Sequence, residues 1–393
     1  MSLFKKSNQK EVYAIFDIGS ASVAGALIEV GGVEGKPKIL HSIRKPMVFQ
    51  EKLSFKRFVA SMLKSLSEVS VELETKIPKT PDKVMCFLSS PWYASQTRFI
   101  EVKRETPFIV SEKLLEELME KEIESFKKDE LIKYPELKKS NPKIIESHNI
   151  RVRLNGYETS NPIGKKANEA KIAFYVSVST ERVINNISEN IKRVFNVEDV
   201  EFNSFMVPFF STMRDLFHDK HRFLLLDISG EITDIALVKN NVLFESVSFP
   251  LGTNFLIRRL VSGLKTTPLE ATTALNLYIK GESTKAVSKK IKIILDSAKK
   301  EWLKVFQENL HHISKHSSLS STIFLVANKN VAPWFIDTIL KEEFHQYTLS
   351  ERSFEVEFLS SEKFKDLSNF AHNKDKDPFL ILEAIFANKT QKK

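Results

Sequence analysis

Two short stretches of this chain share one order of elements: an apolar strand, an aspartate, a tight turn and a second apolar strand. Asp17 ends the first strand of one stretch, and Asp227 stands at the equivalent place 210 residues later. Each aspartate is followed by a turn that contains a glycine, Gly19 in one case and Gly230 in the other. A repeat of such a unit indicates an internal duplication. The pattern therefore predicts an α/β protein with two similar halves that face each other.

Paired turns of this kind are suited to phosphate chemistry. A glycine-containing turn presents backbone N–H groups to an anion. An aspartate at the end of the preceding strand can hold Mg²⁺ directly or through water. Two facing turns would clamp the phosphates of a nucleotide from both sides, and catalysis would then rest on positioning and charge neutralisation. Asp17 and Asp227 are therefore the candidate catalytic and metal-ligating residues.

Composition narrows the class of protein. The chain has 393 residues, a net charge of +9 and a single cysteine, Cys86. One cysteine excludes an internal disulfide and fits a reducing compartment. The opening residues MSLFKKSNQK lack the apolar core of a signal peptide, and no apolar run is long enough to span a membrane, so we expect a cytoplasmic protein. The lysines are spread over predicted helix faces, which favours a solvated surface over a nucleic-acid groove and is compatible with weak attraction to anionic lipid.

The motifs resemble those of a known superfamily. Asp17-Ile18-Gly19-Ser20-Ala21-Ser22 looks like the first phosphate motif of the actin and heat-shock-chaperone ATPases, and the stretch 227–234 resembles the second. Within that superfamily, the segment Asn155–Gly164 resembles FtsA, the actin-like bacterial cell-division protein, and Pro250-Leu251-Gly252 matches the segment after its second motif. The neighbouring relative is PilM of type IV pilus assembly, and the opening MSLFKK before Asp-Ile-Gly-Ser is equally similar to PilM.

The resemblance implies an actin-like (ribonuclease H-like) duplicated two-lobe ATPase fold with a small inserted subdomain of the FtsA type, called SHS2. It also implies ATP and Mg²⁺ as cofactors, with Asp17 and Asp227 at the metal. The implied nucleotide contacts are Gly19, Ser20, Ser22, Gly230, Glu231, Thr233, Gly252 and Asn328. The expected boundaries are 1–82 with 179–215 for the first lobe, 83–178 for the inserted subdomain, 216–264 with 318–393 for the second lobe, and 265–317 for a reduced helical subdomain of that lobe.

Three departures from the family pattern weaken the case for ATP turnover. Ser229 and Glu231 stand where the second phosphate turn has glycines, and Glu231 would repel phosphates if it faced them. The adenosine turn, normally T-G-G-G, reads Asn328-Lys329-Asn330 here. Thr273 and Asn276 replace the Glu and Lys of the family's A-E-x-x-K helix pattern. We therefore expect ATP binding with weak or absent hydrolysis.

Three functions are consistent with this sequence. The first is an FtsA-like adaptor that assembles into filaments or homo-oligomers at the inner face of the membrane and recruits division proteins. The second keeps the fold as a pseudo-ATPase scaffold without nucleotide. The third is a PilM-like pilus platform that binds a short peptide of a membrane partner. Peripheral membrane contact would come from the region around Phe4 or from a partner. A small-molecule kinase is disfavoured, because no general base stands at a recognisable position.

Overall fold

The computed structural model describes residues 11–31, 35–77, 79–133, 141–315, 317–348, 353–371 and 376–391. The region around Phe4, which the sequence suggests for membrane contact, lies outside these residues. Among the described residues, no helix combines the length and the apolar character needed to cross a membrane.

The described residues form strands and helices throughout. The strands are β1 Glu11–Ile18, β2 Ser22–Val30, β3 Lys38–Pro46, β4 Lys83–Leu88, β5 Ala94–Ile109, β6 Pro142–Leu154, β7 Tyr157–Glu158, β8 Lys166–Thr180, β9 Glu201–Ser204, β10 Arg222–Ile228, β11 Thr233–Lys239, β12 Val242–Phe249, β13 Thr322–Ala327, β14 Glu355–Phe358 and β15 Asn369–Phe370. The helices are α1 Phe55–Glu74, α2 Glu112–Lys133, α3 Glu181–Phe195, α4 Met206–Leu216, α5 Thr253–Leu264, α6 Pro268–Lys280, α7 Lys285–Ser314, α8 Ala332–Leu340 and α9 Pro378–Thr390.

The strands make three sheets. A six-stranded sheet has the order β15-β3-β2-β1-β4-β9, a five-stranded sheet has the order β12-β11-β10-β13-β14, and a four-stranded sheet has the order β5-β8-β6-β7. The first two sheets belong to the two lobes, and the third belongs to the inserted subdomain. The two-lobe α/β architecture predicted from the paired turns is confirmed.

The duplication is visible in the register of the strands. Asp17 pairs across the antiparallel β1–β2 hairpin with Ala24, and Asp227 pairs across β10–β11 with Asp234, seven positions along the chain in each case. A parallel strand then joins the other side of each first strand, β4 beside β1 and β13 beside β10. Both aspartates therefore sit next to last in their strands, at the ends where the turns begin.

Helices α4 and α9 lie between the two lobes. One continuous core combines side chains of these two helices with side chains of the six-stranded and five-stranded sheets. Helices α1 and α3 cover the other face of the first sheet, and α5, α7 and α8 pack on the second sheet. Helix α9 is apolar on nearly every face, and its residues Leu380 to Asn388 are all buried, as its sequence predicts. A shared core of this kind holds the two turns at a defined separation.

Two segments join sheets other than those expected from the sequence. Strand β4, which was expected in the inserted subdomain, pairs with β1 and β9 in the first lobe. Strand β15 pairs with β3, and α9 packs on β1 and β2, although 318–393 was assigned to the second lobe. An apolar strand pattern specifies burial but not the strand beside which it lies. The apolar pattern therefore could not predict which sheet each of these strands joins.

The segment that most resembles FtsA contains a hairpin turn of the inserted subdomain. Asn155 and Gly156 connect β6 to β7 with positive φ angles of 50° and 86°. This pair suits a tight antiparallel turn, since both positions require the left-handed region. The Asn155 side chain also accepts hydrogen bonds from the backbone N–H groups of Asn168 (2.9 Å) and Glu169 (3.1 Å). A structural role thus accounts for the start of this segment.

Candidate functional site

The first turn is closed by its own backbone and by a tryptophan. The Gly19 N–H donates to the Ser22 carbonyl at 3.1 Å, and a Cβ built on Gly19 would lie 3.0 Å from that same oxygen. The indole N–H of Trp92 donates to the Gly19 carbonyl at 2.8 Å. The tightness of the turn therefore favours glycine here, whatever ligand it faces.

The second turn repeats this geometry and carries a helix on its far side. Its N–H at Ser229 donates to the Ile232 carbonyl at 3.0 Å, the same offset from the aspartate as in the first turn. The N–H groups of Thr253 and Asn254, at the start of α5, donate to the carbonyls of Ser229 (2.9 Å) and Gly230 (2.8 Å). Free N–H groups at a helix start are the usual anion ligands. In this protein, the carbonyl groups of the second turn accept hydrogen bonds from those N–H groups.

The two turns touch each other. The hydroxyl oxygens of Ser20 and Ser229 are 2.7 Å apart, and the Glu231 N–H donates to the Ser20 hydroxyl at 2.9 Å. A Cβ placed on Gly230 would lie only 2.1 Å from the Cβ of Ala21. The two turns are therefore in direct contact at these residues.

Asp17 is held by an arginine of β3. The Arg44 guanidinium donates from Nη2 to Asp17 at 2.7 Å, from Nη1 to the Ser22 hydroxyl at 2.8 Å and from Nε to Asp377 at 2.6 Å. The Asp17 side chain is only 2% exposed. Burial raises the pKa of Asp17, while the charge of Arg44 acts in the opposite direction. The cation beside this aspartate is thus a side chain of the protein.

Asp227 is buried without a hydrogen bond to either carboxyl oxygen. Burial raises its pKa well above the ordinary value, and the nearby Asp234 and Asp17 add to the effect. Burial also raises the pKa of Asp234 to about 6, although the Ser248 hydroxyl donates to it. Glu383 of α9 is fully buried, and burial raises its pKa as well. Burial thus opposes the ionised form of Asp227, Asp234 and Glu383, whereas Asp17 has a guanidinium beside it.

Glu231 faces neither phosphates nor solvent. Its carboxylate accepts from Nη2 of Arg258 at 2.6 Å and from the Asn254 amide at 2.7 Å, and its side chain is 5% exposed. Arg258 also donates to the Gln50 carbonyl of the first lobe at 3.3 Å. Glu231 is thus the buried partner of an ion pair that links the second turn to α5 and to the first lobe.

The remaining predicted nucleotide contacts have structural partners. Thr233 donates its hydroxyl to the Leu251 carbonyl at 2.9 Å. A Cβ on Gly252 would lie 2.5 Å from the carbonyl oxygens of Ser229 and Gly230, so this glycine lets α5 approach the turn. Asn328 is exposed one strand away, where its side chain accepts from the Asn330 N–H at 2.9 Å.

These observations test whether the site fits Mg²⁺ and ATP. Asp17 has a guanidinium as its partner, the turns contact each other, and the N–H groups at the start of α5 are used. Within the described ranges, no group of three or more His, Cys, Asp and Glu side chains could hold a metal ion. The residue types at the two turns suit a nucleotide, but their arrangement does not fit phosphates between them.

A groove of about 1200 Å³ lies between the inserted subdomain and the second lobe, and it extends to Ile232 and Asp234 beside the second turn. Strand β5, at the edge of the four-stranded sheet, and strand β12, at the edge of the five-stranded sheet, form its walls. The Thr97 hydroxyl donates to the Leu243 carbonyl across the groove, and the rings of Phe99 and Phe244 are 5.2 Å apart. Trp92 also lines it. The groove therefore combines two strand edges with aromatic side chains.

The sequence pattern does not indicate which charged residues pair with the two turns. Arg44 lies in a strand among other polar residues, and nothing in the pattern separates it from them. Arg258 stands in α5 next to a second arginine, Arg259, and only the fold selects which one reaches Glu231. Glu383 did carry a signal, since it is the one carboxylate in the apolar run Phe379–Phe386.

No protein-family model matches the chain, and no curated protein matches it either. Among solved structures, PilM in the PilM–PilN type IV pilus biogenesis complex matches 96% of this chain and 98% of its own, with a TM-score of 0.61 and 14% identity. MreB 5 of Spiroplasma citri bound to AMPPNP matches 97% of each chain with a TM-score of 0.46 and 10% identity. The near-complete overlap with PilM and the duplicated lobes establish that this chain has the actin-like ATPase fold.

Proposed function

We propose that this chain is an actin-fold scaffold that binds an extended segment of a partner protein and keeps its lobes closed without ATP. The observation that carries the proposal is the direct contact between the two turns, with Ser20 and Ser229 2.7 Å apart. A nucleotide would have to separate surfaces that already satisfy each other's polar groups. The protein would then act as a scaffold that binds its partner protein on its surface.

The groove between β5 and β12 is suited to bind a peptide segment of the partner protein. Edge strands carry unpaired backbone N–H and C=O groups, and an extended peptide can join them by strand addition. Phe99 and Phe244 would contact alternate side chains of that peptide. An extended segment that alternates apolar and polar residues is the ligand that this groove favours.

A role in type IV pilus assembly is favoured over a role in cell division. PilM, whose structure overlaps almost the whole chain, was solved in a complex with PilN. The division role rested on Asn155–Gly164, which begins with a hairpin turn that the inserted subdomain needs for itself. The proposed partner is a cytoplasmic segment of an inner-membrane pilus-assembly protein, which would hold this chain at the inner face of the membrane.

Calorimetric titration with ATP and Mg²⁺ tests the nucleotide-independent part of this proposal. We expect no heat of binding at millimolar ATP, because the turns leave no space for phosphates and Arg44 already neutralises Asp17. Micromolar binding that disappears in Asp17→Ala would reject the proposal and restore the ATP-clamp alternative.

Substitution of Phe99 tests the groove. Phe99 is 54% exposed on β5, so Phe99→Asp should leave the fold intact and place a charge in the groove. We expect it to weaken binding of the partner segment at least tenfold, as measured by fluorescence anisotropy with labelled peptide. Ile109→Asp is the matched control, since Ile109 is 56% exposed on the same strand and does not line the groove. Equal losses in the two variants would argue against the groove.

A further inference from the structure

Several carboxyl groups are buried at the base of the cleft, where the two lobes meet. Asp17 of the first lobe and Asp227 of the second lobe occupy equivalent strand positions, and both side chains are buried. Glu383 lies close to Asp17 as well, without a hydrogen-bond partner for either of its oxygens. An ionised carboxylate at the base of a closed cleft needs a positive charge beside it. In a nucleotide-binding clamp, a metal ion supplies that charge.

We propose that Arg44 is the built-in cation of this cleft, and that its guanidinium replaces a bound metal in allowing the acidic turns to close on each other. Its donors reach two carboxylates and a hydroxyl: Asp17 at 2.7 Å, Asp377 at 2.6 Å and Ser22 at 2.8 Å. The planar group also lies 5.4 Å from the centre of the Phe379 ring. These contacts match the fork geometry of guanidinium and would not be reproduced by an ammonium group.

The position of Arg44 also ties the first turn to the helix between the lobes. Asp377 precedes α9, and its other oxygen accepts from the Phe379 N–H at 3.0 Å as the helix cap. Helix α9 belongs to the core that both lobes share. One side chain thereby links β3, the turn at Asp17 and the start of α9. Closure of the cleft becomes a property of the folded chain and needs no ligand.

Arg44→Ala tests this inference by thermal unfolding and small-angle scattering. We expect the melting temperature to fall by roughly 5 °C or more and the radius of gyration to rise, because Asp17 is left with no positive partner. Free guanidinium at a sub-denaturing concentration should restore part of both values, since Arg44 is 31% exposed and its place can be reached from solvent. The wild-type protein should respond to neither Mg²⁺ nor EDTA.

Arg98→Ala is the matched control. Arg98 also donates to side chains of opposite and neutral character, among them Glu122, Gln96 and Ser125, but it lies in the inserted subdomain. The Arg98→Ala protein should also lose stability, but guanidinium should not restore its melting temperature, and its radius of gyration should not rise. Equal rescue of both variants, an Arg44→Ala protein that behaves as wild type, or a wild-type protein stabilised by Mg²⁺ would each overturn the inference.

A second variant keeps the test decisive if Arg44→Ala does not fold. Asp17→Asn/Arg44→Ala removes Arg44 together with the more deeply buried of its two carboxylate partners, since Asp17 is 2% exposed and Asp377 is 16% exposed, so it should fold and remain closed without guanidinium. Failure of this double variant to fold would show that Arg44 matters for packing and not for charge. The inference extends the nucleotide-independent part of the proposed function. Its test uses no partner segment, so failure of the groove proposal would leave this result unaffected.

Discussion

Arg258→Ala should lower the free energy of unfolding by about 3 kcal/mol, because it leaves the carboxylate of Glu231 buried without its cation. The Glu231 side chain is 5% exposed and the Arg258 side chain 20% exposed, so solvent compensates only in part. The loss also breaks the contact from Arg258 to the Gln50 carbonyl in the other lobe. Urea unfolding followed by tryptophan fluorescence measures the change.

The neighbouring residue provides the control. Arg259 pairs with Glu301 on the surface, where the two side chains are 46% and 41% exposed. Arg259→Ala should therefore cost at most about 1 kcal/mol. A similar small effect for Arg258→Ala would mean that Glu231 reaches water in solution. In that case the second turn would be more open in solution, and a phosphate could approach it.

Gly230→Ala should destabilise the protein by about 1 to 3 kcal/mol, because the added methyl group must push the two turns apart. Its Cβ would lie 2.1 Å from the Cβ of Ala21 and 2.9 Å from backbone atoms of the same residue. The φ angle at Gly230 is not positive, so the cost comes from the contact between lobes and not from backbone strain. Thermal and urea unfolding both report it.

A double variant isolates that contact. Ala21→Gly removes the atom nearest to the new methyl group, so Ala21→Gly/Gly230→Ala should recover part of the loss, and the non-additivity measures the contact between the turns. If Gly230→Ala alone were neutral, the turns would be separated in solution. Space for phosphates would then exist, and the ATP-clamp alternative would gain support.

Local sequence patterns predict much of the fold. The paired aspartates predicted two lobes because a buried strand, a turn and a returning strand form a local unit that the chain repeats. Helix α3 begins after Thr180, whose side chain accepts from the Val183 N–H, and it ends at Asn196 with φ of 52°, so its limits follow from nearby residues. The burial of α9 followed from apolar residues on nearly every face.

The candidate site was less predictable, because its decisive contacts join residues that are far apart in the chain. The duplicated lobes, the positions of both turns and the loss of glycines at Ser229 and Glu231 follow from the order of residues alone. The contact between the turns, the pairing of Arg44 with Asp17 from another strand and the pairing of Glu231 with Arg258 become visible in the folded chain. The physical reason is that local spacing sets hydrogen bonds within strands, turns and helices, whereas the partner of a buried charge depends on how whole sheets and helices pack.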